Sequence, residues 1–86
     1  MLYDITSPIV IRRSESSDRP ALEQLAALES RRNLPEGVYL LAEARGELVA
    51  AASLDTDAEP MSDPFRPTAE IRNLIGRQAS ALRRAA

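Results

Sequence analysis

The chain has 86 residues, with 13 acidic and 11 basic side chains and a net charge of −2. That length makes one domain near the lower limit of what folds alone, burying about 60–65% of its unfolded surface. The charge argues against general nucleic-acid binding. The chain lacks both cysteine and histidine, which excludes disulfides, cysteine-bound zinc, and the commonest general base and metal ligand.

All 11 basic residues are arginine, a bias better explained by GC-rich coding than by phosphate recognition. No apolar run approaches the roughly 18 residues of a membrane span. The opening MLYDITSP has neither the basic start nor the apolar core of a signal peptide. A soluble, cytoplasmic protein is the expectation, with neither membrane nor nucleic acid among its partners.

Taken in order, Pro8-Ile9-Val10-Ile11-Arg12-Arg13 places three β-branched residues after a proline and predicts a first strand. Ser14 to Asp18 is a polar break in which Ser16 or Ser17 serves as N-cap, with Asp18 in the first helical turn. Pro20 is tolerated there because first-turn amides have no helical partner. The predicted helix runs over about 18–30, with Ala21, Leu22, Leu25 and Leu28 on one stripe. Arg31-Arg32-Asn33-Leu34-Pro35-Glu36-Gly37 is a connecting loop.

The stretch Val38 to Asp55, VYLLAEARGELVAAASLD, reads as a hairpin turning at Arg45-Gly46. A two-residue loop sets Ala44 opposite Glu47, Ala42 opposite Val49 and Leu40 opposite Ala51. Val38, Leu40, Ala42, Val49 and Ala51 then share one face, with Tyr39, Leu41, Leu48, Ala50, Ala52 and Leu54 on the other. Both faces are apolar, so the hairpin is expected to be central and covered on both sides. Its many alanines predict close approach of the covering elements.

Thr56 to Pro67, TDAEPMSDPFRP, is an acidic, proline-rich linker. Met61 and Phe65 are its large apolar residues and are expected to pin it to the body, with a short edge strand near 60–62. Arg66 is expected to pair with Asp63. Thr68 then caps a second helix over 68–85, with Ile71, Leu74, Ile75, Gln78, Ala79 and Leu82 on its apolar stripe. Gly76 costs this helix about 1 kcal/mol relative to alanine, unless it admits a close neighbour. The expected architecture is α+β: one domain over 1–86, a three- or four-stranded antiparallel sheet and two helices, in the order β-α-β-β-(β)-α.

With that order in hand, IVIRRSESSDRPALEQLAALE resembles the first strand and helix of the GCN5-related N-acetyltransferase (GNAT) fold. VYLLAEARGELVAAASLD resembles its second and third strands. The resemblance covers 9–55 and implies half of that fold; the linker and last helix are similar to those of short acetyltransferase-like proteins of actinobacterial type. In the family, acetyl-CoA is held by a Q/R-x-x-G-x-G/A loop whose amides bind the pyrophosphate. The nearest string here is Arg72 to Ala79, RNLIGRQA. Arg72, Gly76 and Arg77 are therefore the cofactor-binding candidates, but Gln78 stands where a second small residue is needed.

Other constellations have bland readings beside functional ones. Asp55, Asp57 and Glu59 imitate a calcium loop, but Pro60 and Arg66 occupy the places that require Gly and Glu, so a solvated acidic loop is favoured and no metal is assigned. Arg31 and Arg32 suit an anion or, preferentially, the helix's C-terminal dipole. Tyr3 and Tyr39 are potential general acids without a cofactor loop to serve; Ser53 and Ser80 have no histidine to activate them. No catalytic residue follows.

The expectation is a non-catalytic, acetyltransferase-like interaction module without cofactor, forming a homodimer or docking on a protein partner. Leu48, Ala50, Ala52, Leu54, Phe65, Ile71, Leu74, Ile75 and Leu82 are its candidate interaction residues. The open edges expected are Ile9–Arg13 and whichever side of the charge-poor Leu48–Leu54 the linker does not cover. The alternative is a minimal acyl-CoA-binding N-acetyltransferase whose site is completed across a dimer.

Overall fold

The computed structural model describes residues 8–85. Four strands, β1 (Ile9–Arg13), β2 (Tyr39–Ala44), β3 (Glu47–Ser53) and β4 (Met61–Ser62), form one antiparallel sheet in the order β1-β2-β3-β4. Helices α1 (Arg19–Leu28) and α2 (Ala69–Ala85) cover opposite faces. The fold is α+β, with the short fourth strand present. Among the described residues no helix is long and apolar enough to cross a membrane.

The hairpin forms where turn chemistry places it. Arg45 (φ 55°) and Gly46 (φ 79°) both lie in the left-handed region, as the type I′ turn that matches strand twist requires. Gly46→Val is expected to cost about 1–2 kcal/mol in a thermal melt, because a β-branched residue resists positive φ. No atom lies within 4 Å of the added Cβ, so this cost is backbone strain alone. A variant that melts with wild type would mean the turn has relaxed to another type.

The predicted register holds only beside the turn. Ala44 pairs with Glu47 and Glu43 with Leu48, but Ala42 then pairs with Ala50, which leaves Val49 as a bulge. Leu40 consequently faces Ala52, and Leu41 faces Ala51. The extra residue inverts the alternation of everything after it. Ala50 and Ala52 join Leu40, Ala42, Ala44 and Val49 beneath α2, with Leu54 packed alongside. Ala51 joins Tyr39 and Leu41 beneath α1, with Leu48 beside them. The expected assignment of Ala50, Ala51, Ala52 and Leu54 to faces is thus reversed.

Both helices pack on narrower stripes than their spacing predicts. A 3-10 turn, Ser16–Asp18, precedes α1 with Glu15 as its own N-cap, and Asp18, expected in the first helical turn, takes the N-cap position of α1 in place of Ser16 or Ser17. The helix ends at Leu28 because Ser30 takes φ 58°. Arg31 N–H then bonds the Ala26 carbonyl at 2.9 Å and Ser30 N–H the Ala27 carbonyl at 3.0 Å, a Schellman closure. Leu22, Leu25 and Ala26 are buried, whereas Ala21 and Leu28 are exposed. On α2, Ile75 and Ala79 are buried and Ile71 is packed beside them, but Gln78 and Leu82 face solvent.

Gly76 admits a close neighbour. A Cβ there would sit 2.8 Å from Cγ of Pro60, closer than packed carbons tolerate. Pro60 cannot retreat easily, since its carbonyl is held by Arg31 and β4 begins at the next residue. Gly76→Ala is therefore expected to lose about 1 kcal/mol, the clash outweighing the gain in helix propensity. A raised melting temperature would show that the proline yields.

Candidate functional site

The linker, expected to be pinned to the body by Met61 and Phe65, is also gripped by the end of α1. The Arg31 guanidinium donates to the carbonyls of Glu59 and Pro60, both at 2.9 Å, and its Nε pairs with Glu29 Oε1 at 3.0 Å. The other Glu29 oxygen accepts from the Ser62 N–H at 3.0 Å. Arg31 is thus committed to its own chain and serves neither as an anion site nor as a simple dipole partner. Met61 is buried, as expected.

Phe65 behaves oppositely. It is 80% exposed, at the crest of a turn that is itself closely fixed. Asp63 Oδ1 accepts from the Phe65 N–H at 2.9 Å, and the Asp63 carbonyl accepts from the Thr68 hydroxyl at 3.0 Å. Arg66 bridges Asp63 at 3.3 Å, the predicted pair, and also reaches Glu47 at 2.8 Å on β3. Pro64 and Pro67 restrict the backbone on either side. Phe65 does not pin the loop; the loop holds Phe65 out.

Between the linker and α2 lies an open groove of about 450 Å³, lined among others by Asp57, Glu59, Arg72, Gly76, Arg77 and Arg83. It brings the three cofactor candidates onto one wall. Arg72, however, pairs with Glu59 at 3.4 Å and Glu29 at 3.7 Å, and Arg83 donates to the Ser53 carbonyl at 2.8 Å. The string Arg72 to Ala79 lies wholly within α2. Interior helical amides bond the carbonyl four residues back, so this string forms no amide-lined loop for a pyrophosphate.

The remaining chemical candidates have structural partners. The Tyr39 phenol donates to the Pro35 carbonyl at 2.7 Å, and burial raises its pKa; Tyr3 lies outside the described residues. The Ser53 hydroxyl accepts the amides of Asp55 and Thr56 at 3.0 and 2.9 Å, and Ser80 accepts from Arg84 at 2.7 Å. Asp55 turns back to the Val38 N–H at 2.7 Å. Among the described residues no group of three or more potential ligands is placed to hold a metal ion.

The strongest charge cluster lies elsewhere and was not read from the sequence. Arg12 on β1 makes a two-pronged contact with Asp18, at 2.8 and 2.9 Å, and reaches Glu43 on β2 at 3.1 and 3.3 Å. Each residue is unremarkable alone, and the residues are up to 31 positions apart. The Arg12 bond, aided by the Glu15 amide, lowers the Asp18 pKa from 3.8 to about 2. The unfolded chain therefore takes up this proton before the folded one does. The stabilisation is complete above 3.8 and is lost as pH falls from 3.8 towards 2. Wild type is expected to lose stability across that window more steeply than Asp18→Asn, in denaturant melts at stepped pH. Parallel curves would remove Asp18 from the acid response.

The candidate interaction residues separate into two groups. Ala50, Ala52 and Ile75 are sealed in the chain's own core, with Leu54 and Ile71 packed against it and Leu48 against the core under α1. Leu74 is half-buried, whereas Phe65 and Leu82 are exposed. The open edge anticipated at Leu48–Leu54 is also closed: β4 pairs with Ala50 and Ala51, Asp63 N–H bonds the Val49 carbonyl at 3.0 Å, and Arg83 takes that of Ser53. Comparison of the chain with protein-family models, with curated proteins and with solved structures found no match.

Proposed function

We propose that the chain is a non-catalytic, acetyltransferase-like interaction module of the cytoplasm, which docks on protein through the turn that carries Phe65. The exposure of Phe65 carries this reading. It is the only phenylalanine in the chain, and it stands 80% exposed on a turn fixed by two carboxylates, an arginine and two prolines. Aromatic anchors of this kind dominate binding energy where they are found. A pre-set turn also loses little freedom on docking. The β1-α1-β2-β3 order supports the acetyltransferase-like part of the reading over 9–55. The groove that gathers Arg72, Gly76 and Arg77 favours the second reading, a minimal acyl-CoA-binding acetyltransferase completed across a dimer.

The chain contains no tryptophan, so Phe65→Trp produced with 7-azatryptophan, which is excited to the red of ordinary tryptophan, introduces a single reporter at the turn that is read apart from added proteins. Its emission is expected to shift to the blue when a cytosolic protein fraction is added, and not when acetyl-CoA is added. The melting temperature is expected to be indifferent to acetyl-CoA, since a ligand that binds only the folded state must raise it. An unmoved emission together with a clear rise in melting temperature would reverse the two readings.

A further inference from the structure

The two edges of the sheet are treated very differently by the rest of the chain. At β4 the outer side is plugged: the Ser62 N–H is taken by Glu29, and Arg31 caps the carbonyls of Glu59 and Pro60 just before the strand. Prolines 60 and 64 flank it, and the strand is two residues long. These are the devices by which sheet edges avoid pairing. At β1 the situation is the reverse.

The register identifies which groups β1 presents. Ser14 N–H bonds the Tyr39 carbonyl at 2.7 Å, and Ser14 continues the pairing in which Arg13 faces Leu40. Backbone groups of an antiparallel strand alternate in direction, so Val10 and Arg12 bond towards β2. Ile9, Ile11 and Arg13 turn their N–H and C=O outward. Of these outward groups, the Arg13 carbonyl receives a 3.3 Å contact from the Arg12 side chain among the described residues. No described strand pairs with this edge. Val10, on the face towards α1, is 52% exposed.

The geometry points to this edge as the seam of a homodimer, in which β1 pairs antiparallel with β1 of a second copy about a two-fold axis at Ile11. In that register Ile11 exchanges both bonds with its counterpart, and Ile9 does so with Arg13 of the second copy. It is the register in which all three outward residues find partners within the strand and no arginine stands opposite another. A two-residue slip towards the C-terminus sets Arg12 against Arg12 and leaves Ile9 beyond the facing strand, and the opposite slip leaves Arg13 beyond it. Charge, the remaining protection of an edge, is largely used up here. Arg12 is already neutralised by Asp18 and Glu43, and Arg13 meets an isoleucine. The exposed face of Val10 is covered by the Arg12 stem across the axis. The result is a continuous eight-stranded sheet, β4-β3-β2-β1 followed by its mirror order.

A seam of five residues a side is smaller than the roughly 1,200 Å² of standard interfaces, so association is expected in the micromolar range or weaker. The inference does not depend on what Phe65 binds. Light scattering after gel filtration, from about 10 μM to about 500 μM, is expected to show the mass rise from 9.4 kDa towards twice that value. Arg13→Pro removes an outward donor from an exposed residue while leaving every β1–β2 bond and every packed side chain undisturbed, as proline allows at an edge. It is expected to hold the chain at the monomer mass with an unchanged far-ultraviolet spectrum and melt. In wild type, amide exchange at Ile9, Ile11 and Arg13 is expected to slow as concentration rises, whereas Val10 and Arg12 stay protected throughout. A wild-type monomer at the highest concentration overturns the seam. So does a dimer that survives Arg13→Pro, or one in which those three amides stay unprotected. Loss of the dimer in Phe65→Ser but not in Arg13→Pro places self-association on the Phe65 turn and overturns the seam while supporting the proposed docking site.

Discussion

Leu41→Ala is expected to cost about 3 kcal/mol, within the range of roughly 2–5 for leucine truncation in a packed core. A chain of 86 residues has a total stability of roughly 4–13 kcal/mol, so the variant loses between about a quarter and three quarters of it. The size of the effect follows from how few large side chains are involved. Leu41, Ile75 and Val49 are the largest fully buried ones, and five other buried residues of the central strands, Ala42, Ala44, Ala50, Ala51 and Ala52, are alanines. Leu41 sits in the middle of β2, 1% exposed, in the cluster with Leu22, Leu25, Tyr39 and Met61. Removing it opens a void between α1 and the sheet that the neighbouring alanines are too short to fill. Urea titration with far-ultraviolet detection measures the loss. A value under about 1 kcal/mol would mean that α1 settles onto the sheet, and that the core beneath it is more compliant than dense packing implies.

Gly37→Ala is expected to lose about 2–3 kcal/mol, from two sources that act together. Gly37 has φ 115°, beyond the left-handed helical well and in territory that residues with a Cβ avoid. Its added Cβ would also collide with the Asp55 carboxylate oxygen. That oxygen accepts the Val38 N–H at 2.7 Å, and Leu54 N–H bonds the Val38 carbonyl at 2.8 Å in the same corner. Alanine must therefore either displace Asp55 and orphan the amide or unwind the start of β2. The contact is solvent-facing, so the hydrogen bond alone contributes only about 1 kcal/mol. Asp55→Ala isolates that part. The double variant is expected to be less damaged than the sum of the two, because the collision disappears with the carboxylate. Strict additivity in thermal melts would assign the whole cost of Gly37→Ala to backbone strain.

Features set by a few neighbouring residues were legible from the chain itself. Pro8 followed by three β-branched residues delimits β1 at Ile9–Arg13. Arg45-Gly46 marks the hairpin turn because glycine tolerates positive φ and the flanking runs are β-prone. Apolar residues on both sides of the hairpin require cover on both faces, and one helix lies on each. The Asp63–Arg66 pair is three residues long and equally local.

What tertiary structure alone decided depends on partners far away in sequence. The bulge at Val49 is invisible in VAAAS, where every residue suits either face, and it determines which alanines meet α2. Phe65 has the composition of an anchor for its own loop, yet the bonds of Asp63 and Arg66 turn it outward. Ala26, outside the stripe that the spacing predicts, is buried in place of Leu28, where Ser30 closes α1. Arg31, Glu29 and Gly76 acquire their roles only when 59–62 arrives beside them, over 28 to 33 positions for the first two. The same arrival plugs one edge of the sheet and leaves β1 as the other, because the side chains that seal an edge come from elements the strand itself does not encode.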